Sequence, residues 1–112
     1  MTTPSVDEWP ARVQRELRHF AQERDWPQYH TPRNLLLALV GEVGELAELY
    51  QWDPPEPPPA ARIAEEVADV MIYLLRFADT AGVDVATAVA DKMAFNATRF
   101  PTLTDQAERS ER

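Results

Sequence analysis

Residues 35–73, LLLALVGEVGELAELYQWDPPEPPPAARIAEEVADVMIY, decide the fold. Leu35, Leu39, Leu46 and Leu49, with Val43 and Tyr50 to one side, recur at a helical period up to about Trp52. The run Asp53 to Pro59 cannot continue a helix and reads as a stiff, extended connector. The helical period resumes at Ala60 and runs to about Ala78, with Ile63, Val67, Val70, Tyr73, Leu74 and Phe77 facing inward. Each helix carries a pair of acids three residues apart, Glu42 with Glu45 and Glu66 with Asp69, a spacing that places both on one face. At about 100° per residue Glu42 falls inside the leucine arc and Glu66 at the edge of its own arc, while Glu45 and Asp69 sit about 60° further round. Glu48 and Glu65 point to water. A glutamate among core leucines is costly unless paired or bound to a cation.

On either side of this pair the pattern stays helical. Val13, Leu17, Phe20 and Ala21 make one apolar face of a first helix ending near Asp25, with Ser5 and Glu8 at capping-box spacing and Glu23, Arg24 and Asp25 as a charged end. Trp26-Pro27 breaks it. Thr31 followed by Pro32 reads as an N-cap with proline at the first helical position. Gly82 marks a turn, and a last helix is expected over 84–98, stopped by Pro101, with Val85, Val89, Lys92, Met93, Asn96 and Phe100 inward. Gly41 and Gly44 each carry a helix penalty of roughly 1 kcal/mol, which close approach of another helix or a ligand would explain. The expectation is one all-α domain over 1–101, about four helices, with 1–6 loose, 53–59 as connector and 102–112 a flexible tail.

Composition limits the function classes. Nineteen acidic against eleven basic residues in 112 give a formal charge of -8, which argues against gripping a nucleic-acid polymer. The chain has no cysteine, so disulfide and thiolate chemistry are excluded. It shows neither a signal pattern nor a membrane-length apolar run, and the expectation is a soluble, cytoplasmic protein. A domain of this size also gains by associating with copies of itself.

Four carboxylates in a partly apolar groove repel one another unless protonated or neutralised by cations, and oxygen-only ligation suits Mg2+, with Mn2+ as a substitute. Such a site fits attack of water on a phosphoanhydride. Lys92 can meet a phosphate, Asn96 can hydrogen-bond phosphate, sugar or base, and Trp26, Trp52 and Tyr73 can stack on a base. Each has a plainer role: core or interface packing for the aromatics, a snorkelling stem for Lys92, a helix end for Asn96. His30 alone reads as a loop or capping histidine, His19 as packing or surface. A lone E-x-x-E is common on solvated helices, so an acidic helical oligomer acting as a binding module is the competing class.

Three segments, GEVGELAELYQW (41–52), EEVADVMIY (65–73) and KMAFNATRFP (92–101), carry a resemblance to the MazG-like all-α nucleoside triphosphate pyrophosphohydrolases. ERDW (23–26) and HTPRNLLLALV (30–40) place it nearest the dCTP pyrophosphatase branch. The resemblance covers about Val13 to Pro101. It implies a helical bundle completed by oligomerisation, as a dimer or tetramer, and hydrolysis of a pyrimidine deoxynucleoside triphosphate, dCTP or a modified dCTP, to monophosphate and pyrophosphate. dUTP, a damaged base or a broad set of triphosphates are the alternatives. It further implies Glu42, Glu45, Glu66 and Asp69 as catalytic Mg2+ ligands, and Trp26, His30, Trp52, Tyr73, Lys92 and Asn96 as substrate-binding residues, one tryptophan coming from a neighbouring subunit. The short proline connector, and Leu17 where animal members tend to carry histidine, depart from the branch and bear on base choice.

Overall fold

A computed structural model describes residues 8–52 and 55–111. The Ser5 cap, the expected loose residues 1–6 and Asp53-Pro54 of the connector lie outside the described residues. The chain forms α1 (Glu8–Glu23), α2 (Pro32–Glu48), α3 (Ala60–Thr80), α4 (Val85–Arg99) and α5 (Leu103–Ser110), and no strand occurs among the described residues. Caps start the helices where the sequence supplies them. The Thr31 and Asp84 side chains accept from the backbone N–H of Asn34 and Thr87, with Pro32 opening α2.

α2 and α3 make the largest helix–helix contact, α1 lies against α3, and α4 against α1. Gln14 on α1 bonds the Leu75 carbonyl and Arg18 bonds Asp79, so α1 runs parallel to α3. His30 before α2 meets Arg76 near the end of α3, while Glu42 and Glu45 meet Glu66 near its start, so α2 runs antiparallel. α3 is therefore covered on two sides. Leu75 and Ala78 are buried where the sequence pattern points Leu74 and Val67 inward, and the latter two are exposed. A single apolar arc describes a helix with one neighbour and misses the second.

Three further expectations are corrected. Thr102–Arg112, read as a tail, contains α5, whose N-cap Thr102 accepts from the Asp105 N–H. α4 does not bury its stripe within the chain, since Val89, Lys92, Met93 and Phe100 are all exposed. Among the described residues nothing of the same chain approaches Gly41 or Gly44, because a Cβ at either would meet no atom within 4 Å, so the close approach expected there is not made by the chain's own helices. Gly44 instead sits in an uncovered α2 face with Leu36, Leu37, Val40, Val43 and Ala47, where Val40 is 68% exposed. The radius of gyration is 18.9 Å, against about 13 Å for a compact chain of this length. No helix among the described residues is long and apolar enough to cross a membrane.

Candidate metal centre and adjoining cavity

The antiparallel α2–α3 pair brings the acidic motifs together. Glu42, Glu45 and Glu66 each place one carboxylate oxygen within 4.8 Å of the others. Glu66 is only 5% exposed, Glu42 is half-buried and Glu45 is exposed. Asp69 stands outside this tight trio, yet its charge acts on both Glu42 and Glu66.

Burial, and then the neighbouring carboxylates, Glu45 foremost, hold Glu42 above the usual glutamate range. Burial and Glu45 do the same to Glu66, against the opposing pull of Arg62, whose Nη2 lies 3.6 Å from Glu66 Oε1. Oε2 of Glu42 and Oε2 of Glu66 are buried without a hydrogen-bond partner among the described residues. An orphaned buried carboxylate oxygen is costly, and two facing one cluster ask for a shared cation. The donors are all oxygen, which suits a hard divalent ion.

Beside the carboxylates lies a cavity of about 160 Å³ lined by Leu17, Trp26, His30, Asp69, Tyr73 and Arg76, among others. Asp69 thus faces both the acidic cluster and the cavity. The backbone places Trp26. α1 closes with Trp26 N–H donating to the Ala21 carbonyl and Asp25 N–H to the Gln22 carbonyl, with Asp25 in the left-handed region at φ 56°. This is a Schellman termination, and it packs Trp26 over Ala21 at the cavity wall. Trp26 also meets the Phe20 ring edge-on at 5.6 Å and His30 at 5.9 Å.

Of the ten residues singled out by sequence, Trp26, His30, Tyr73 and Asp69 share the cavity and Glu42, Glu45 and Glu66 share the cluster. Trp52, Lys92 and Asn96 are not brought to either within one chain. Trp52 is 85% exposed after α2, Lys92 sits with its Nζ 5.0 Å from the Phe95 ring, and the Asn96 carbonyl accepts the Phe100 N–H at the end of α4. The sequence reading missed Arg76. Its signal was one charge inside the apolar run MIYLLRFA (71–78), and the partners that keep it there, His30 and Asp79, emerge only in three dimensions.

A family model described as the MazG nucleotide pyrophosphohydrolase domain matches residues 30–104. The chain belongs to this family. Among MazG relatives, dCTP pyrophosphatase 1 of Bos taurus is 53% identical over 97 residues, covering 80% of this chain and 57% of that protein. The dATP/dGTP diphosphohydrolase of Salmonella phage PMBT28 is 61% identical over 89 residues, covering 80% of this chain and 27% of that one. The chain therefore spans little more than half the length of the curated animal relative. A solved pyrophosphatase of Archaeoglobus fulgidus DSM 4304 superposes with a TM-score of 0.77 at 32% identity, covering 91% of this chain and 99% of the other. The helical bundle expected from the resemblance is thus the fold of a MazG protein.

Proposed function

We propose that this chain hydrolyses a pyrimidine deoxynucleoside triphosphate, dCTP or a modified dCTP, to the monophosphate and pyrophosphate with Mg2+ as cofactor and Mn2+ as a substitute. The observation that carries this is the position of Asp69, at once beside the Glu42–Glu45–Glu66 cluster and in the wall of a cavity lined by Trp26, His30 and Tyr73. Polyphosphate chemistry and base binding then fall on neighbouring groups. The dCTP pyrophosphatase relatives support the same assignment.

When bound, Mg2+ supplies positive charge against the phosphate oxygens and acidifies water. Glu42 and Glu66 would hold it through their orphaned oxygens, with Glu45 of the same cluster and the adjoining Asp69 available to complete the set. Glu45, the exposed member of the cluster, takes the proton of the attacking water. Trp26 and Tyr73 offer ring faces to the base, and their placement in a cavity opening beside the carboxylates orients the triphosphate toward the acids.

The working form in this reading is a homo-oligomer, a dimer or tetramer, with the uncovered α2 face around Gly44 buried between copies. Trp52, Lys92 and Asn96, remote from the cavity in their own chain, then serve a neighbouring copy's site, Lys92 at the phosphates. Val40→Glu puts a charge in the middle of that face. Sedimentation of the variant should show a monomer where the unsubstituted protein sediments as an oligomer, and an unchanged oligomer would remove this face from the interface.

The reaction is tested by incubating the protein with Mg2+ and a panel of canonical and modified nucleoside triphosphates, and separating the products. Monophosphate and pyrophosphate, fastest from a cytosine deoxynucleotide and absent under chelator, is the expected outcome. Faster turnover of dATP or dGTP would move the substrate toward that of the phage relative, and release of orthophosphate would overturn the reaction. No turnover from a folded protein would favour the binding-module class.

A further inference from the structure

Arg76 is 7% exposed, and a guanidinium so deeply placed needs a reason. Neutralising Asp79 is not the reason. Arg18 already meets that carboxylate with two hydrogen bonds, Nε to Oδ2 at 2.9 Å and Nη2 to Oδ1. Arg76 Nη1 adds a third at 3.1 Å, which leaves the trio of Arg18, Asp79 and Arg76 with one surplus positive charge. Arg76 Nε donates to His30 Nδ1 at 3.2 Å. These two bonds, to Asp79 and His30, fix the plane of the guanidinium. Its Nη2 has no hydrogen-bond partner among the described residues, and the side chain lines the cavity with Trp26, His30 and Tyr73. Asp69, seven residues earlier, lies on the same face of α3.

A guanidinium donates and cannot accept. The neighbouring histidine acts in the same sense, because an acceptor Nδ1 leaves its hydrogen on Nε2. Burial and the Arg76 charge hold His30 below the usual histidine range and so favour this neutral form. The cavity wall thus offers fixed donors beside aromatic faces. We propose that Arg76 is a specificity-determining residue that selects a base presenting two neighbouring acceptors, O2 and N3 of cytosine or O6 and N7 of guanine, over one that presents a donor there. Uracil and thymine carry a hydrogen on N3, which would face an N–H and leave both donors unsatisfied.

This inference rests on the nucleotide reading of the cavity, and its test separates the two. The unsubstituted protein, Arg76→Met and Arg76→Lys are assayed for kcat/KM on dCTP, dUTP, dGTP, dATP and the 2-pyrimidinone deoxynucleotide, which keeps O2 and N3 but lacks the amino group. Affinity for the matching monophosphates is measured in parallel by calorimetry without metal. The unsubstituted protein should treat dCTP and the pyrimidinone analogue alike within a few-fold and prefer both to dUTP by about tenfold or more. Arg76→Met should bring that preference to within a few-fold, and Arg76→Lys, which keeps the charge for Asp79 but not the planar fork, should weaken it with the fold retained. If the preference lost in the variants is dGTP over dATP, guanine is the base read.

Preferences unchanged in a folded variant overturn the role of Arg76, as does rejection of the pyrimidinone analogue, which would place recognition on the amino group. If no triphosphate is hydrolysed, the reaction reading fails and the monophosphate affinities still decide: loss of the dCMP-over-dUMP difference in the variants supports Arg76, and its persistence or prior absence overturns it.

Discussion

Under the proposed reaction a Glu66→Gln variant should lose turnover by about a hundredfold, while the metal-free protein should become more resistant to heat. Both effects come from one oxygen. Glu66 Oε2 is buried without a partner, and burial together with Glu45 already holds this carboxyl above its ordinary range. A raised folded-state pKa means that the stabilisation is complete at pH values where the carboxyl is protonated in both states, and is lost as pH rises through the folded value. The gap in thermal midpoint between the variant and the unsubstituted protein, both without metal, should therefore open above the usual glutamate range and close below it. Added Mg2+ should raise the midpoint of the unsubstituted protein and leave the variant nearly unmoved, since a ligand stabilises only the state that binds it. Full activity in the variant would take Glu66 out of the metal set, and a midpoint gap independent of pH would remove the electrostatic account.

An Asp79→Ala substitution carries the second large effect, a loss of about 3–5 kcal/mol with a fall in thermal midpoint on the order of 10 °C or more. Two arginines depend on this carboxylate, but they do not count equally. The Arg18 side chain is 48% exposed and can return to water. Arg76 cannot, and is left as a buried cation whose one remaining hydrogen-bond partner among the described residues is His30 Nδ1. Arg18→Ala should accordingly cost far less than Asp79→Ala. The hydrogen bond from Arg18, then the charges of Arg18 and Arg76, hold the Asp79 carboxyl below the usual aspartate range against the effect of burial. A depressed folded value gives stability that is present above the unfolded pKa and lost as pH falls through the folded one, so the penalty of Asp79→Ala should shrink in strong acid. Calorimetric melts of the two variants across pH check both statements.

The acidic cluster was legible in the sequence because it is local on each helix. Three-residue spacing puts Glu42 with Glu45 and Glu66 with Asp69 on one face, and the leucine arc says which face goes inward. Thr31-Pro32 likewise announces the start of α2 by chemistry contained in four residues. Arg76 was not legible, since its meaning depends on Arg18 and Asp79, sixty-one residues apart, and on His30, forty-six residues back. α5 was missed for another reason. Its helix is short and without an apolar stripe, and its one local signal is Thr102 three residues before Asp105, the same capping spacing as Ser5 and Glu8. Periodicity detects helices that bury a face, and α5 buries none.

The Schellman end of α1 makes two of the tryptophans unequal in entropy. Trp26 has its backbone held by its own N–H on the Ala21 carbonyl and its ring against Phe20 and His30, so a stacking partner would find a wall with less motion to lose than a free side chain. Trp52, 85% exposed, keeps its rotamers until something orders it, and any base it covers must first meet that loss. If both tryptophans stack on the base as proposed, ligand capture should divide in time: a rapid landing on Trp26, whose rate follows ligand concentration, and a slower closing of Trp52, whose rate does not.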